Sequence, residues 1–288
     1  MNYFKLLTSL ILFLLLVSCE EEEELPEAKS HQIISVNSLI GVDSLIQVKL
    51  SKSTGTSVEI KYISDARITA HKNDKELGEF IYRQNGIYEL PGQYLASESK
   101  YQITVTHPSF KKITTNTFAP EKVSINDIKL VNDESEGKTT FHLKFTDDAS
   151  QNNYYMLLVK GIANNKSNVI QYYSNDIVFE GNLNVNDNDF DQNMLRGSRS
   201  FSDKNFESSQ VEISFYILNN DFFVDYPKYK IELYHLNEDY FNYERSFVSL
   251  QNKDDILFSN KTNLYSNVEE AFGIFSSYAL DYKIVSKQ

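Results

Sequence analysis

Alternation of apolar and polar residues at a period of two constrains this chain more than any other feature. Ile46, Val48 and Leu50 alternate with Gln47 and Lys49, and Tyr101, Ile103 and Val105 with Gln102, Thr104 and Thr106. The same pattern returns in Phe141, Leu143 and Phe145, in Val211, Ile213 and Phe215, and in Tyr229, Ile231 and Leu233. Successive side chains of a strand point to opposite faces, so each run reads as a strand with one buried and one wet face. Antiparallel sheets accept that arrangement. The 19 Tyr and 19 Phe, with no Trp, add to the bias, because aromatics fit a pleated, half-buried surface. Between the runs lie turn formers: Ser51 to Ser57, Asn73-Asp74-Lys75, Asn85-Gly86, Pro91-Gly92 and Asn132 to Lys138. Turn signals about ten residues apart predict a β-sandwich over residues 31–120.

Phe118-Ala119-Pro120-Glu121 closes this unit, which places a domain boundary near Pro120. The second unit, 121–288, is again rich in strands but holds one helix, predicted over 238–252. Asn237 is its N-cap, and Glu238 and Asp239 lie in the first turn, where the helix dipole favours negative charge. Tyr240, Tyr243, Phe247 and Leu250 line one helical face. That face is expected to pack on the second unit's sheet, the alternative being an exposed aromatic stripe that grips a partner. A last strand is expected around 281–285.

The start of the chain carries a different message. Lys5, an apolar run from Leu6 to Val17, and then Leu16-Val17-Ser18-Cys19 form a basic start, a hydrophobic stretch of about a dozen residues and a small residue before a cut. A membrane span needs about 20 apolar residues. This is a bacterial lipoprotein signal, with residues 1–18 removed between Ser18 and Cys19. Cys19, the only cysteine in 288 residues, is the lipid-attachment site. Two or three acyl chains there, palmitate among them, make a lasting membrane anchor, since one chain alone holds marginally. With Cys19 acylated no disulfide can form, so stability must come from the core.

Glu20, Glu21, Glu22, Glu23 and Glu24 follow at once and repel one another, so residues 19–30 read as an extended, solvated tether. The acidic run also resembles the export signal that sends lipoproteins of Bacteroidota to the outer face of the outer membrane. Removal of Lys5 leaves 27 basic against 40 acidic residues, a net charge of −13. Such a surface argues against nucleic acid as a partner.

Catalytic signatures are missing from the pattern. His31, His71, His107, His142 and His235 never fall at the spacing of a helical zinc site, and no Gly-x-Ser-x-Gly elbow or phosphate loop occurs. The expectation is a non-enzymatic protein without a cofactor. The metal candidate is the loop Asn184 to Asn193, where Asp187, Asp189 and Asp191 could offer alternate oxygens to a weak calcium site. Gln192 stands where an EF-hand has its turn glycine and Ser198 where it has its glutamate, which favours a plain solvated loop. Gln171-Tyr172-Tyr173 and Asp221 to Pro227 set aromatics beside polar groups, either as a binding surface or as core packing.

The order of motifs carries a resemblance. Ile46 to Ser51, Asp65-Ala66-Arg67-Ile68-Thr69, Asn85-Gly86-Ile87-Tyr88, Tyr101 to Val105, Phe201 to Phe206, the 240–252 helix with its Ser-Leu-Gln-Asn end, and Asn267-Val268 with Ala271-Phe272-Gly273-Ile274-Phe275 resemble the Bacteroidota lipoprotein family known as domain of unknown function 4249. One departure is Glu269-Glu270-Ala271, where that family usually has a glycine pair. The resemblance implies an outer-membrane lipoprotein, often encoded beside TonB-dependent receptors, and hence an accessory or binding subunit. A stand-alone adhesin and a periplasm-facing envelope-assembly protein are the alternatives. The first unit also resembles immunoglobulin-like or transthyretin-like modules, so the expected fold is mainly β: one such sandwich, then a β-rich domain with one α-helix.

Overall fold

The computed structural model describes residues 33–52, 60–133, 135–179, 194–195, 198–206, 209–218, 226–251 and 263–287. Up to the first linker the strands are β1 (Ile34–Gly41), β2 (Leu45–Lys52), β3 (Lys61–Tyr62), β4 (Arg67–Lys72), β5 (Lys75–Glu79), β6 (Ile81–Tyr82), β7 (Ile87–Tyr94), β8 (Ser99–His107) and β9 (Phe110–Ala119). There follow β10 (Ile125–Asp133), β11 (Lys138–Thr146), β12 (Tyr154–Ala163), β13 (Lys166–Val169), β14 (Tyr172–Tyr173), β15 (Met194–Leu195), β16 (Ser198–Ser202), β17 (Gln210–Leu218) and β18 (Lys228–Leu236). The helix α1 (Glu238–Gln251) and the long strand β19 (Phe272–Ser286) complete the order.

The alternating runs form strands because each gives one face to a core. Ile46, Val48, Leu50, Tyr101, Ile103 and Val105 are buried in one cluster, and Phe141, Leu143, Phe145, Ile213, Phe215, Tyr229, Ile231 and Leu233 in another. Two sandwiches result. A ten-stranded sheet runs β13-β12-β18-β19-β1-β2-β7-β6, with β16 also on β12 and β3 also on β2. Its β1-β2-β7 part covers the four-stranded sheet β5-β4-β8-β9, and its β12-β18 part covers the five-stranded sheet β10-β11-β17-β14-β15.

The strand expected at 281–285 is far longer than the sequence indicates, and it joins the two halves. Residues 272–278 of β19 pair in parallel with β1, from Ser35↔Phe272 to Gly41↔Tyr278. Residues 278–286 pair antiparallel with β18, from Leu236↔Tyr278 to Lys228↔Ser286. Phe275 and Val268 are therefore part of the first core, although they lie far beyond residue 120. At Gly273 φ is +121°, and a Cβ there would stand 1.9 Å from the Val36 carbonyl oxygen, so only glycine lets β19 approach β1.

Polar side chains tie the same seam. Thr117 and Ser277 hydroxyls are 3.1 Å apart, Ser277 also donates to the Phe118 carbonyl at 2.9 Å, and the Ile125 amide donates to Asp281 at 2.8 Å. Asn267 accepts from the Phe275 amide and donates to its carbonyl, at 3.0 and 2.9 Å.

The turn expectations hold in part. Asn73-Asp74 and Asn85-Gly86 are tight turns with positive φ at all four residues. Pro91-Gly92 is not a turn: β7 continues through it, and the register against β2 jumps from Gln47↔Glu89 to Leu45↔Tyr94, a bulge. Proline lacks the amide a regular ladder needs, which a bulge accommodates. Helix α1 starts as expected, with the Asn237 side chain accepting from the Asp239 amide at 2.8 Å. Its first half packs, since Tyr240 and Phe241 are buried with Met156 and Leu236. Further along, Phe247 and Leu250 are 42% and 38% exposed, so the stripe divides between packing and solvent.

Candidate functional site

The outer face of the β12-β18-β19 sheet is ordered in rows by its register. Val169, Lys160, Lys230 and Ile284 form one row across β13, β12, β18 and β19, and Leu158, Glu232 and Tyr282 the next. Met156, Tyr234 and Leu280 follow, and then Tyr154, Leu236 and Tyr278, which α1 covers. Val169, Tyr282 and Ile284 are each more than half exposed, whereas Glu232 is 1% exposed. The open rows thus present apolar and aromatic side chains around a carboxylate hidden under two lysine stems.

Glu232 is held by three donors. Lys230 and Lys160 lie at 2.7 and 2.9 Å, and the Tyr234 hydroxyl donates at 2.9 Å. Burial opposes its charge, but the hydrogen bonds from Lys230, Lys160 and Tyr234 outweigh that and hold the carboxyl below the usual range. Lys230 also sits 4.0 Å over the Tyr282 ring. Two ammonium groups against one carboxylate leave a local positive excess on a chain of net charge −12. Tyrosines, lysine stems and satisfied charges on an exposed face suit recognition of another surface.

A second polar group is buried at the seam. His235 Nδ1 lies 2.7 Å from the Glu121 carbonyl and Nε2 lies 3.2 Å from Asn153 Oδ1. The Asn153 amide nitrogen donates to Asp147 at 3.2 Å and to the Asp148 and Gln151 carbonyls, and the Tyr155 hydroxyl donates to Asp147 at 2.6 Å. Burial pushes the Asp147 carboxyl up and the His235 imidazole down. All four side chains are buried, so the group is a joint between linker and second sandwich rather than a cleft.

The residues singled out in the sequence scatter. Ser18, Cys19 and Glu20 to Glu24 lie outside the described residues, as do Asp187, Asp189 and Asp191 and the segment Asp221 to Asp225. Tyr172 and Tyr173 are buried, with Tyr172 in the second core, which makes them packing residues and not a binding surface. Tyr226 is half-buried against Gly161, where a Cβ would come within 2.4 Å of its ring. Among the described residues no group of three His, Cys, Asp or Glu could hold a metal. Sequence alone does not join Lys160, Lys230 and Glu232 as a unit. Lys230, Glu232 and Tyr234 share a strand face at i, i+2 and i+4, a readable signal, but Lys160 joins them only through cross-strand register.

This architecture defines a mainly-β protein of two sandwiches that share a sheet. The chain belongs to the family described as Domain of unknown function (DUF4249), which matches residues 20–283. No curated protein matches it. Among solved structures it is similar to a segment of two fibronectin type III domains from chicken tenascin, at 11% identity, covering 89% of this chain and 99% of that one with a TM-score of 0.22. It is also similar to a candidate carbohydrate binding protein from Bacteroides uniformis, at 8% identity, covering 88% and 98% with a TM-score of 0.24.

Proposed function

We propose that this protein is a non-enzymatic binding lipoprotein of the outer membrane, anchored by acylated Cys19 and facing outward, that serves as an accessory subunit to a TonB-dependent receptor. The observation that supports this reading is the open face of β13, β12, β18 and β19, where Val169, Tyr282 and Ile284 stand exposed beside Lys160 and Lys230. Exposed aromatic and aliphatic groups around a hydrogen-bonded lysine–carboxylate cluster are what a protein interface uses. A solvated tether over residues 19–30, as the run of glutamates implies, would let a body anchored this way settle on a neighbour.

The test is a mild-detergent pull-down of the tagged protein from its own membranes, with Cys19→Ala as the unanchored control and a Tyr282→Ser/Ile284→Ser double variant. Recovery of a receptor in near-equal amount, lost in the double variant, is the expected result. A solitary protein that surface protease nevertheless removes from intact cells would replace the accessory role with that of an adhesin, and resistance to protease would turn the body inward.

A further inference from the structure

Arg199 stands apart from the other described arginines. Arg67 and Arg83 pair with Glu79 and Glu89 at 2.9 and 2.6 Å on exposed edges. Arg199, on the edge strand β16 opposite Leu157, has Nε and Nη2 out of the reach of solvent, with no hydrogen-bond partner on either. A guanidinium stays charged in proteins, and buried donors without acceptors are costly. Those two nitrogens are the side-on edge of the guanidinium, whose parallel N–H groups match both oxygens of one carboxylate.

The surroundings are cationic and aromatic. Helix α1 packs against β16, and its Arg245 lies 5.5 Å over the Phe241 ring. Tyr172 lies nearby, donating its hydroxyl to the Leu157 carbonyl at 3.2 Å. Burial pushes the Arg199 guanidinium down, Tyr172 opposes that, and the Arg245 charge adds a smaller push in the same direction as burial. A buried cation with an unfilled donor edge is relieved by an anion that supplies the missing acceptors.

We infer that Arg199 forms a carboxylate-binding site at the β16 edge of the second sandwich, where its unfilled donor edge takes the acid group of a small ligand by a bidentate contact. The site uses none of the exposed outer-face residues, so its failure and that of the proposed docking face are separable.

Calorimetric titration of the full chain with sodium acetate, against sodium chloride at matched ionic strength, tests it. Saturable binding of acetate alone is expected. Arg199→Lys keeps the charge but loses the fork, and is expected to weaken binding about tenfold. Arg245→Ala, an exposed change, is expected to weaken it about threefold. A thermal melt of each variant shows that the fold persists. Glucuronate or N-acetylglycine binding more tightly than acetate supports the site and tells a sugar acid from a peptide terminus. Equal responses to acetate and chloride, or an unchanged acetate affinity in a folded Arg199→Lys protein, overturn the inference.

Discussion

At Gly273 two facts act together: a φ of +121° and a Val36 carbonyl oxygen 1.9 Å from where a Cβ would lie. Gly273→Ala must therefore push β19 off β1, and a loss of more than about 3 kcal/mol is expected in urea denaturation, at the upper end of single-residue effects. Three residues earlier Glu270 has φ +60° without being glycine. Its carboxylate meets Lys111 at 2.8 Å, an exposed pair of small worth. His235 makes a pH prediction. Burial is the main influence on it and lowers its folded pKa below the unfolded value of about 6.5. The unfolded chain then binds the proton more readily, so stability falls as pH drops below about 6.5 and levels off beneath the folded value. Asp147 is raised by burial and acts in the opposite sense, in the range just above the ordinary carboxylate pKa of about 4. Thermal melts of the wild type and His235→Gln between pH 7 and pH 5 are expected to diverge, with the variant the flatter curve.

Among the elements, α1 rests on one residue at its start. Asn237 accepts from the Asp239 amide, donates to the Phe118 carbonyl at 3.1 Å and accepts from the Ser276 hydroxyl at 3.3 Å. A cap alone contributes about 1 kcal/mol. Asn237→Ala also strands the other two partners, so a loss of about 2 kcal/mol is expected by urea denaturation. The helix, its cap and the inward set of each alternating strand were legible in the sequence, because periodicity is a local property. Pro91-Gly92 misled for the same reason: the dipeptide signals a turn, and only the partner strand β2 shows that it is a bulge. The length of β19 was hidden as well. Ile274, Phe275, Ser276 and Ser277 are all buried, so that stretch lacks the alternation by which other strands declare themselves. Glu232 reads as a wet-face residue until Lys160 arrives from β12, and Arg199 has no local signature at all.

For the molecule as a whole, the shared strand predicts cooperativity. Phe275 is buried in the first core, Val285 packs on the second, and one strand holds both. Phe275→Ala is expected to cost about 3–5 kcal/mol. Its effect should appear in a single calorimetric transition that moves to lower temperature as a unit. Two transitions, of which one stays in place, would show that the sandwiches unfold separately. A body of this kind carries its outer face and its β16 edge in fixed relation.

Because β19 follows every other described strand in the chain, it is also the last of them to leave the ribosome. Until then β1 and β18 each present an unpaired edge, and neither sandwich has the strand that closes it. Such edges pair readily with any other extended chain. A chain that lacks β19 therefore has neither sandwich closed, and a premature stop a few residues before Phe272 would leave two aggregation-prone halves instead of one finished domain and one lost.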